Sequence, residues 1–392
     1  MNLKNYIKAI VFILLLANAS LAYSQNSSIS NNAQISVLTC GSGDELYSTF
    51  GHSAIRVWDP VTRTDKVYNY GIFDFNAPNF YLNFVKGKLL FKVNKQDFSR
   101  FLYEYQYEKR WVKEQVLNLN TEQKQQLFNY LEKNVKPENR DYLYDYLYNN
   151  CATKIIEVLN ISIGKDITFN EDHLEKNFTF RELLDQKLKT NTWSSFGIDL
   201  ALGSKIDKQA TILQHTFLPD YVWSQLNNST IKNAPLVLSN RTILKEHKKV
   251  NSINFLGTPM FWSFLLLAFV AFITYTDYKN QLWSKWIDAF LFFVTGLIGL
   301  ILTLLWFATD HTATANNFNL LWAMPVNLVA LLLLFNKQNK KAKLHIYSII
   351  SLILLLVVPV VQLTGVQKFH PAFIPILLSL AIRYAFIWQK AK

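Results

Sequence analysis

Tyr47-Ser48-Thr49-Phe50-Gly51-His52-Ser53-Ala54-Ile55-Arg56-Val57 decides how the first half of this chain is read. A glycine turn runs into a segment that alternates small or apolar with polar residues and stops at Asp59-Pro60. That is the period of a half-buried strand. Lys66 to Phe73 is its natural hairpin partner, Gln34 to Thr39 precedes it as a strand, and Leu89 to Val93 and Trp111 to Leu119 follow. Thr121-Glu122-Gln123-Lys124 opens a helix with Leu127, Tyr130 and Leu131 on one face, ended by Pro137. An aromatic stretch from Tyr142 to Tyr148 leads to Asn149-Asn150-Cys151-Ala152-Thr153, which opens a second helix faced by Ile155, Ile156, Val158 and Leu159. Residues 165–250 read as mostly helical, broken at Ser194 to Gly197 and at Pro219.

The flanks of this α+β region are of another kind. Lys4 and Lys8, the apolar run Ile10 to Leu16 and the small-x-small site Ser20-Leu21-Ala22 make 1–22 a secretory signal, with an uncleaved anchor as the rival reading. Polar residues 23–33 then form a linker, and 34–164 the core. From 251 to 392 five apolar runs appear, at Phe255 to Tyr275, Trp286 to Phe307, Phe318 to Phe335, Leu344 to Leu363 and Pro371 to Trp388. Each is near the length of a membrane-spanning helix, so an all-α bundle of about five helices is expected. With the first domain exported, the loops inside hold Lys279, Lys285, Lys337, Lys340, Lys341 and Lys343, and the tail Lys390 and Lys392. The outer loop Ala308 to Asn317 has no Lys or Arg, as the positive-inside rule requires. The expected location is a bacterial inner membrane with the first domain in the periplasm. Export excludes nucleic acid as the reason for the net charge of +12, which fits inside loops and anionic head groups.

The chain has only two cysteines, Cys40 and Cys151. In an oxidising compartment a structural disulfide between them is one reading. Local context favours another for Cys151. A thiol at a helix start feels the positive end of the helix dipole and free N–H groups, which stabilise a thiolate and the oxyanion formed when it attacks a carbonyl. A histidine at a strand start, His52, is placed to hold the thiol deprotonated. A His strand before a Cys helix is the order of circularly permuted papain-like folds. Asp310 and His311, outside the second apolar run, are candidates for orienting a lipid head group. No His, Cys, Asp or Glu cluster has metal-ligand spacing, so neither metal nor cofactor is expected.

The motifs Tyr47 to Val57, Tyr68-Asn69-Tyr70-Gly71-Ile72-Phe73-Asp74-Phe75, Asn149 to Thr153, Trp193 to Gly203, Phe217-Leu218-Pro219-Asp220, and Asp310-His311 with Asn317 to Leu321 resemble the Lnb family of lipoprotein N-acyltransferases. The resemblance implies an NlpC/P60-like, permuted papain-type periplasmic domain on a membrane domain. It also implies transfer of an acyl chain from a phospholipid to the α-amino group of a diacylated lipoprotein cysteine. Phospholipid, diacylated lipoproteins and the membrane are the implied partners. The family's nucleophile and base carry over to Cys151 and His52, with Asn69 as the orienting residue. Tyr47 and Arg56, with Asp310 and His311, are the substrate-binding candidates. The alternatives are a membrane-anchored NlpC/P60-like cell-wall peptidase or amidase, and a non-catalytic scaffold in which Cys40 and Cys151 are disulfide-bonded.

Overall fold

The computed structural model describes residues 28–172, 174, 176–246, 254–335 and 341–391. The expected leader 1–22, part of the linker, and Lys337, Lys340 and Lys392 lie outside them. Strands β1 (Gln34–Cys40), β2 (His52–Asp59) and β3 (Thr64–Ile72) form an antiparallel meander. A short helix α1 (Phe80–Val85) leads to β4 (Leu90–Asp97), α2 (Phe98–Tyr107) and β5 (Val112–Leu117). Helix α3 (Thr121–Asn134), strand β6 (Asp141–Leu143) and helix α4 (Cys151–Ile163) follow. Beyond them lie β7 (Ile167–Thr168), α5 (Phe180–Asp185), α6 (Trp193–Ala201), α7 (Pro219–Asn227), β8 (Thr230–Ile231), β9 (Ala234–Pro235) and β10 (Val237–Leu244). The main sheet runs β10-β5-β1-β2-β3-β4-β6.

Strand alternation sorts this sheet into two faces. Ile35, Val37, Ile55 and Val57 point to the core built with Leu127, Phe128 and Leu131 of α3 and Ile155, Val158 and Leu159 of α4. Leu38, Cys40 and Ala54 point the other way, against Phe101 and Tyr105 of α2. The stretch expected to be mostly helical differs in three respects: α6 runs unbroken through the turn expected at Ser194 to Gly197, because Thr192 caps it and the helix continues to Ala201; β7, β8 and β9 pair as a small three-stranded sheet; and its last segment is β10, which pairs with β5 and closes the sheet edge. This exposed edge strand shows little alternation, so only its pairing with β5 reveals it.

In the membrane half, α8 (Pro259–Lys279), α9 (Lys285–Phe307), α11 (Lys341–Leu363) and α12 (Phe373–Lys390) are, among the described residues, the helices long and apolar enough to cross a membrane. The third apolar run does not form one helix. It makes a 3-10 turn at Phe318–Leu321 and then the short helix α10 (Asn327–Phe335). The side chain of Asn317 accepts the N–H of Asn319, and Pro325 has no N–H to give, so a continuous helix is interrupted there. The segment still joins the two ends of the bundle. Asn317 bonds carbonyls of α6 at the outer end, while Lys285 Nζ reaches the carbonyl of Leu334 at the inner end. Irregular backbone at membrane depth survives where protein covers it. Gly296 and Gly299 of α9 supply the close approach: a Cβ on Gly299 would lie 2.2 Å from the Ala323 oxygen. At the inner end Arg383 of α12 binds both carboxylate oxygens of Asp288, at 2.7 and 2.9 Å, and Asp277 at 3.0 Å, tying α8, α9 and α12 together.

A polar seam joins the halves. Helix α6 presents its last carbonyls to the membrane half, where the Nδ2 groups of Asn319 and Asn317 donate to Asp199, Leu200 and Ala201. These are the groups a helix end leaves without internal partners. Arg181, buried beneath the seam, pairs with Asp199 and Asp207. Asp207 also accepts the N–H of Lys368, Lys368 Nζ reaches Asp185, and His370 meets Ser195. The motif Trp193 to Gly203, silent as chemistry in the sequence, is thus the docking element.

Removing one partner of a buried ion pair strands the other charge, at about 3–5 kcal/mol. Arg181→Ala is therefore expected to lower stability by ~3–5 kcal/mol, read from unfolding of the detergent-solubilised protein. A loss below about 1 kcal/mol would be the value of an exposed pair and would contradict the seam's burial.

Candidate active site

Cys151 occupies the first position of α4, and the residue before it makes the cap. The Asn150 side-chain oxygen accepts the N–H groups of Ala152 at 2.8 Å and Thr153 at 2.9 Å, and Thr153 Oγ1 accepts the Asn150 N–H in return. Asn150 Nδ2 donates to the carbonyls of Tyr146 and Phe217, so the cap itself is fixed. This pattern uses the second and third N–H groups of the helix and leaves that of Cys151 directed at its own sulfur. The loop before it is held as firmly. Asp145 accepts the N–H groups of Leu147 and Tyr148, and its other oxygen accepts the hydroxyl of Thr312 in the outer membrane loop.

His52 begins β2 beside this helix start. Its Nε2–H donates to Asn69 Oδ1 at 2.6 Å, which leaves Nδ1 for Cys151. The register of β3 against β4 shifts between Asn69 and Ile72, and Gly71 there has φ +89°. A Cβ at Gly71 would sit 3.3 Å from Cys151 Cβ and 3.9 Å from His52 Cε1. Glycine thus provides both the left-handed backbone and the room in which the pair meets.

Burial opposes charge on both groups, yet each favours the ion of the other. Burial pushes the Cys151 thiol up, but the adjoining imidazole, its hydrogen bond and the N–H groups of Ser53 and Cys151 bring it below the ordinary thiol value. Burial likewise pulls His52 down, but the Cys151 thiolate and the bonds to Cys151 and Asn69 carry it above its ordinary value. Each group thus favours the charged form of the other, the electrostatic setting of a cysteine–histidine pair. Cys40 behaves oppositely. Burial pushes it up to about 12, against the pull of Arg110 and Tyr105. It lies across the strand pair from His52 but packs into the core on the α2 face, whereas Cys151 packs against the other core. Both thiols are free, so the disulfide on which the scaffold reading depended is not formed.

The other candidates fall elsewhere. Arg56 lies on the α2 face, bidentate to Asp65, bonded to Glu114 and stacked over Phe98; it braces the sheet and has no donor facing Cys151. Tyr47 is exposed on the 3-10 turn before the glycine, Leu46–Ser48. Asp310 and His311 bind the C-terminal end of α1: the Asp310 N–H donates to the Lys86 carbonyl at 2.9 Å and His311 Nε2 to that of Phe84 at 3.0 Å. Sequence reasoning passed over Tyr142 and Tyr146 as merely aromatic. The Tyr146 hydroxyl is buried without a partner among the described residues, that of Tyr142 meets the Gly71 backbone, and both feel the charge of Cys151. Their alternation with Tyr144 was the available signal.

Residues 20–186 match the family description Lnb N-terminal periplasmic domain, and residues 250–392 match Lnb transmembrane domain. The chain belongs to the Lnb family. It is a membrane protein carrying that family's periplasmic domain on its membrane domain, in the order the family descriptions give. Neither curated proteins nor solved structures gave a significant match.

The pair makes a pH prediction. Alkylation of Cys151 by iodoacetamide is expected to have its midpoint below the ordinary thiol range of about 8.5. His52→Ala removes the opposing charge and leaves the burial, so the midpoint moves upward, while Cys40 stays unlabelled throughout. Mass spectrometry of labelled peptides across pH checks this, and an unmoved midpoint would dissolve the pair.

Proposed function

We propose that the protein is a lipoprotein N-acyltransferase of a bacterial inner membrane, acting from the periplasmic side through a thioester on Cys151. The observation that carries this reading is a helix-start cysteine paired with a histidine, held on a domain docked to a membrane bundle. A soluble cell-wall peptide would require no such docking, whereas a phospholipid and a lipid-anchored protein both reside in the bilayer.

The steps follow from the groups present. Cys151 Sγ attacks the carbonyl carbon of a phospholipid ester, and the Cys151 N–H is placed for the oxyanion. Collapse breaks the ester C–O bond, and the departing alkoxide takes the proton from His52, releasing a lysophospholipid. The α-amine of a diacylated lipoprotein cysteine then attacks the thioester. His52 Nδ1 accepts its proton, the C–S bond breaks, and the amide leaves with the thiolate restored. Asn69 holds the imidazole so that Nδ1 faces sulfur in both halves.

Mass spectrometry of a lipoprotein N-terminus, in a strain lacking other N-acyltransferases, tests the reading. Cys151→Ala is expected to abolish the N-acyl group, and His52→Ala to slow its transfer by about 10²-fold or more. Asn69→Ala is expected to cost less than His52→Ala, since it removes orientation alone. Unchanged triacylation with Cys151→Ala would refute the proposal.

A further inference from the structure

Helix α1 turns an unusually apolar surface outward. Tyr81, Leu82, Phe84 and Val85 are all more than half exposed, Tyr81 reaching 73%, and Phe75 just before them is 60% exposed. Four such side chains on six residues form a patch that a monomer does not leave in water without purpose. Its height is set by the membrane half. The C-terminal end of α1 is bonded to Asp310 and His311, Lys88 pairs with Asp310, and the His311 ring lies 6.4 Å from that of Phe84. Those residues come directly after the outer end of α9, where Phe307 is itself exposed. The patch therefore continues the apolar belt of the bundle at head-group level, with Lys86 and Lys88 exposed beside it.

The inward side of α1 points toward the chemistry. Phe75 and Phe80 pack together, both touch Phe73, Phe73 meets Phe91, and Phe91 stacks on Tyr144 at 4.1 Å. Tyr144 and its neighbour Tyr142 feel the charge of Cys151. An unbroken aromatic path thus runs from the exposed patch to Tyr144, which lies within electrostatic reach of Cys151.

We propose that α1 is a lip sunk into the periplasmic leaflet, and that its aromatic path leads one phospholipid acyl chain from the bilayer to Cys151. The insertion stands on the geometry alone; the delivery step rests on the acyl-transfer reading above. Amphipathic segments of this kind bury their apolar face at the boundary of head groups and acyl chains. Asp310 and His311 serve here as tethers of the lip rather than as ligands of a head group.

The insertion is tested without catalysis. Full-length Cys151→Ala protein carrying Tyr81→Cys or Phe84→Cys is labelled with an environment-sensitive fluorophore in nanodiscs of phosphatidylethanolamine and phosphatidylglycerol. Blue-shifted emission, quenched by lipids spin-labelled high on the acyl chain, is expected at both sites. Tyr107→Cys on α2 is expected to report water. Water-like emission at positions 81 and 84 would overturn the insertion. So would a blue shift that appears only on adding a lipoprotein, which would assign the patch to a protein partner. Delivery is tested in an otherwise native chain. Leu82→Glu is expected to slow acyl transfer roughly tenfold or more while leaving alkylation of Cys151 by iodoacetamide unchanged. Undiminished transfer would overturn the delivery. A native chain that alkylates normally but never transfers an acyl group would instead sink the functional reading and leave the insertion intact.

Discussion

The Asn150 cap is the contact on which the site depends. A helix start leaves several backbone N–H groups without partners, and one side chain can satisfy only some of them. By taking those of Ala152 and Thr153, Asn150 leaves the Cys151 N–H beside its own sulfur. The cap is in turn pinned to Tyr146 and Phe217, so the first turn of α4 cannot rotate to present a different group. In the proposed reaction His52 then needs to supply only charge and a proton path. The bond from Nε2 to Asn69 and the gap at Gly71 direct its ring toward the sulfur.

Position relative to the membrane comes from a second set of polar contacts. Helix α6 ends on Asn317 and Asn319, Arg181 locks the strand of loop beneath it, and Thr312 reaches Asp145 in the loop that carries Cys151. Apolar burial alone would let the two halves slide, because it has no direction. Hydrogen bonds between buried groups do have direction, and leaving them unmade is costly. The loop that carries Cys151 is consequently set at a fixed height above the outer end of α9. The irregular third crossing belongs to the same device: its non-helical backbone is what lets Asn317 and Asn319 face α6.

The meander from β1 to β3 was readable in the sequence because Ile35, Val37, Ile55 and Val57 recur at every second position and face one core, with turn residues between the strands. The helix after Thr121 and the one opened by Cys151 carried their own caps and apolar faces. Asn69 could be singled out because it lies on the strand next to His52. The remainder depends on partners far away in the chain. β10 is exposed and becomes a strand only by pairing with β5. Trp193 to Gly203 bonds residues more than a hundred positions away, so no local spacing reveals its role. Arg56 was a substrate-binding candidate beside His52, yet its guanidinium is closed by Asp65 and Glu114 across the sheet. Five apolar runs could be counted, yet the third is broken where Asn317 takes the N–H of Asn319 and Pro325 has none to give.

The central claim is that Cys151 carries an acyl chain. The purified protein, incubated with phospholipid and no amine acceptor, is the most direct place to look. Intact-mass measurement is expected to show the addition of one acyl group, located on the peptide containing Cys151 and removed by neutral hydroxylamine as a thioester is. An adduct that persists in Cys151→Ala, or the absence of any adduct while lysophospholipid accumulates with an acceptor present, would contradict the account.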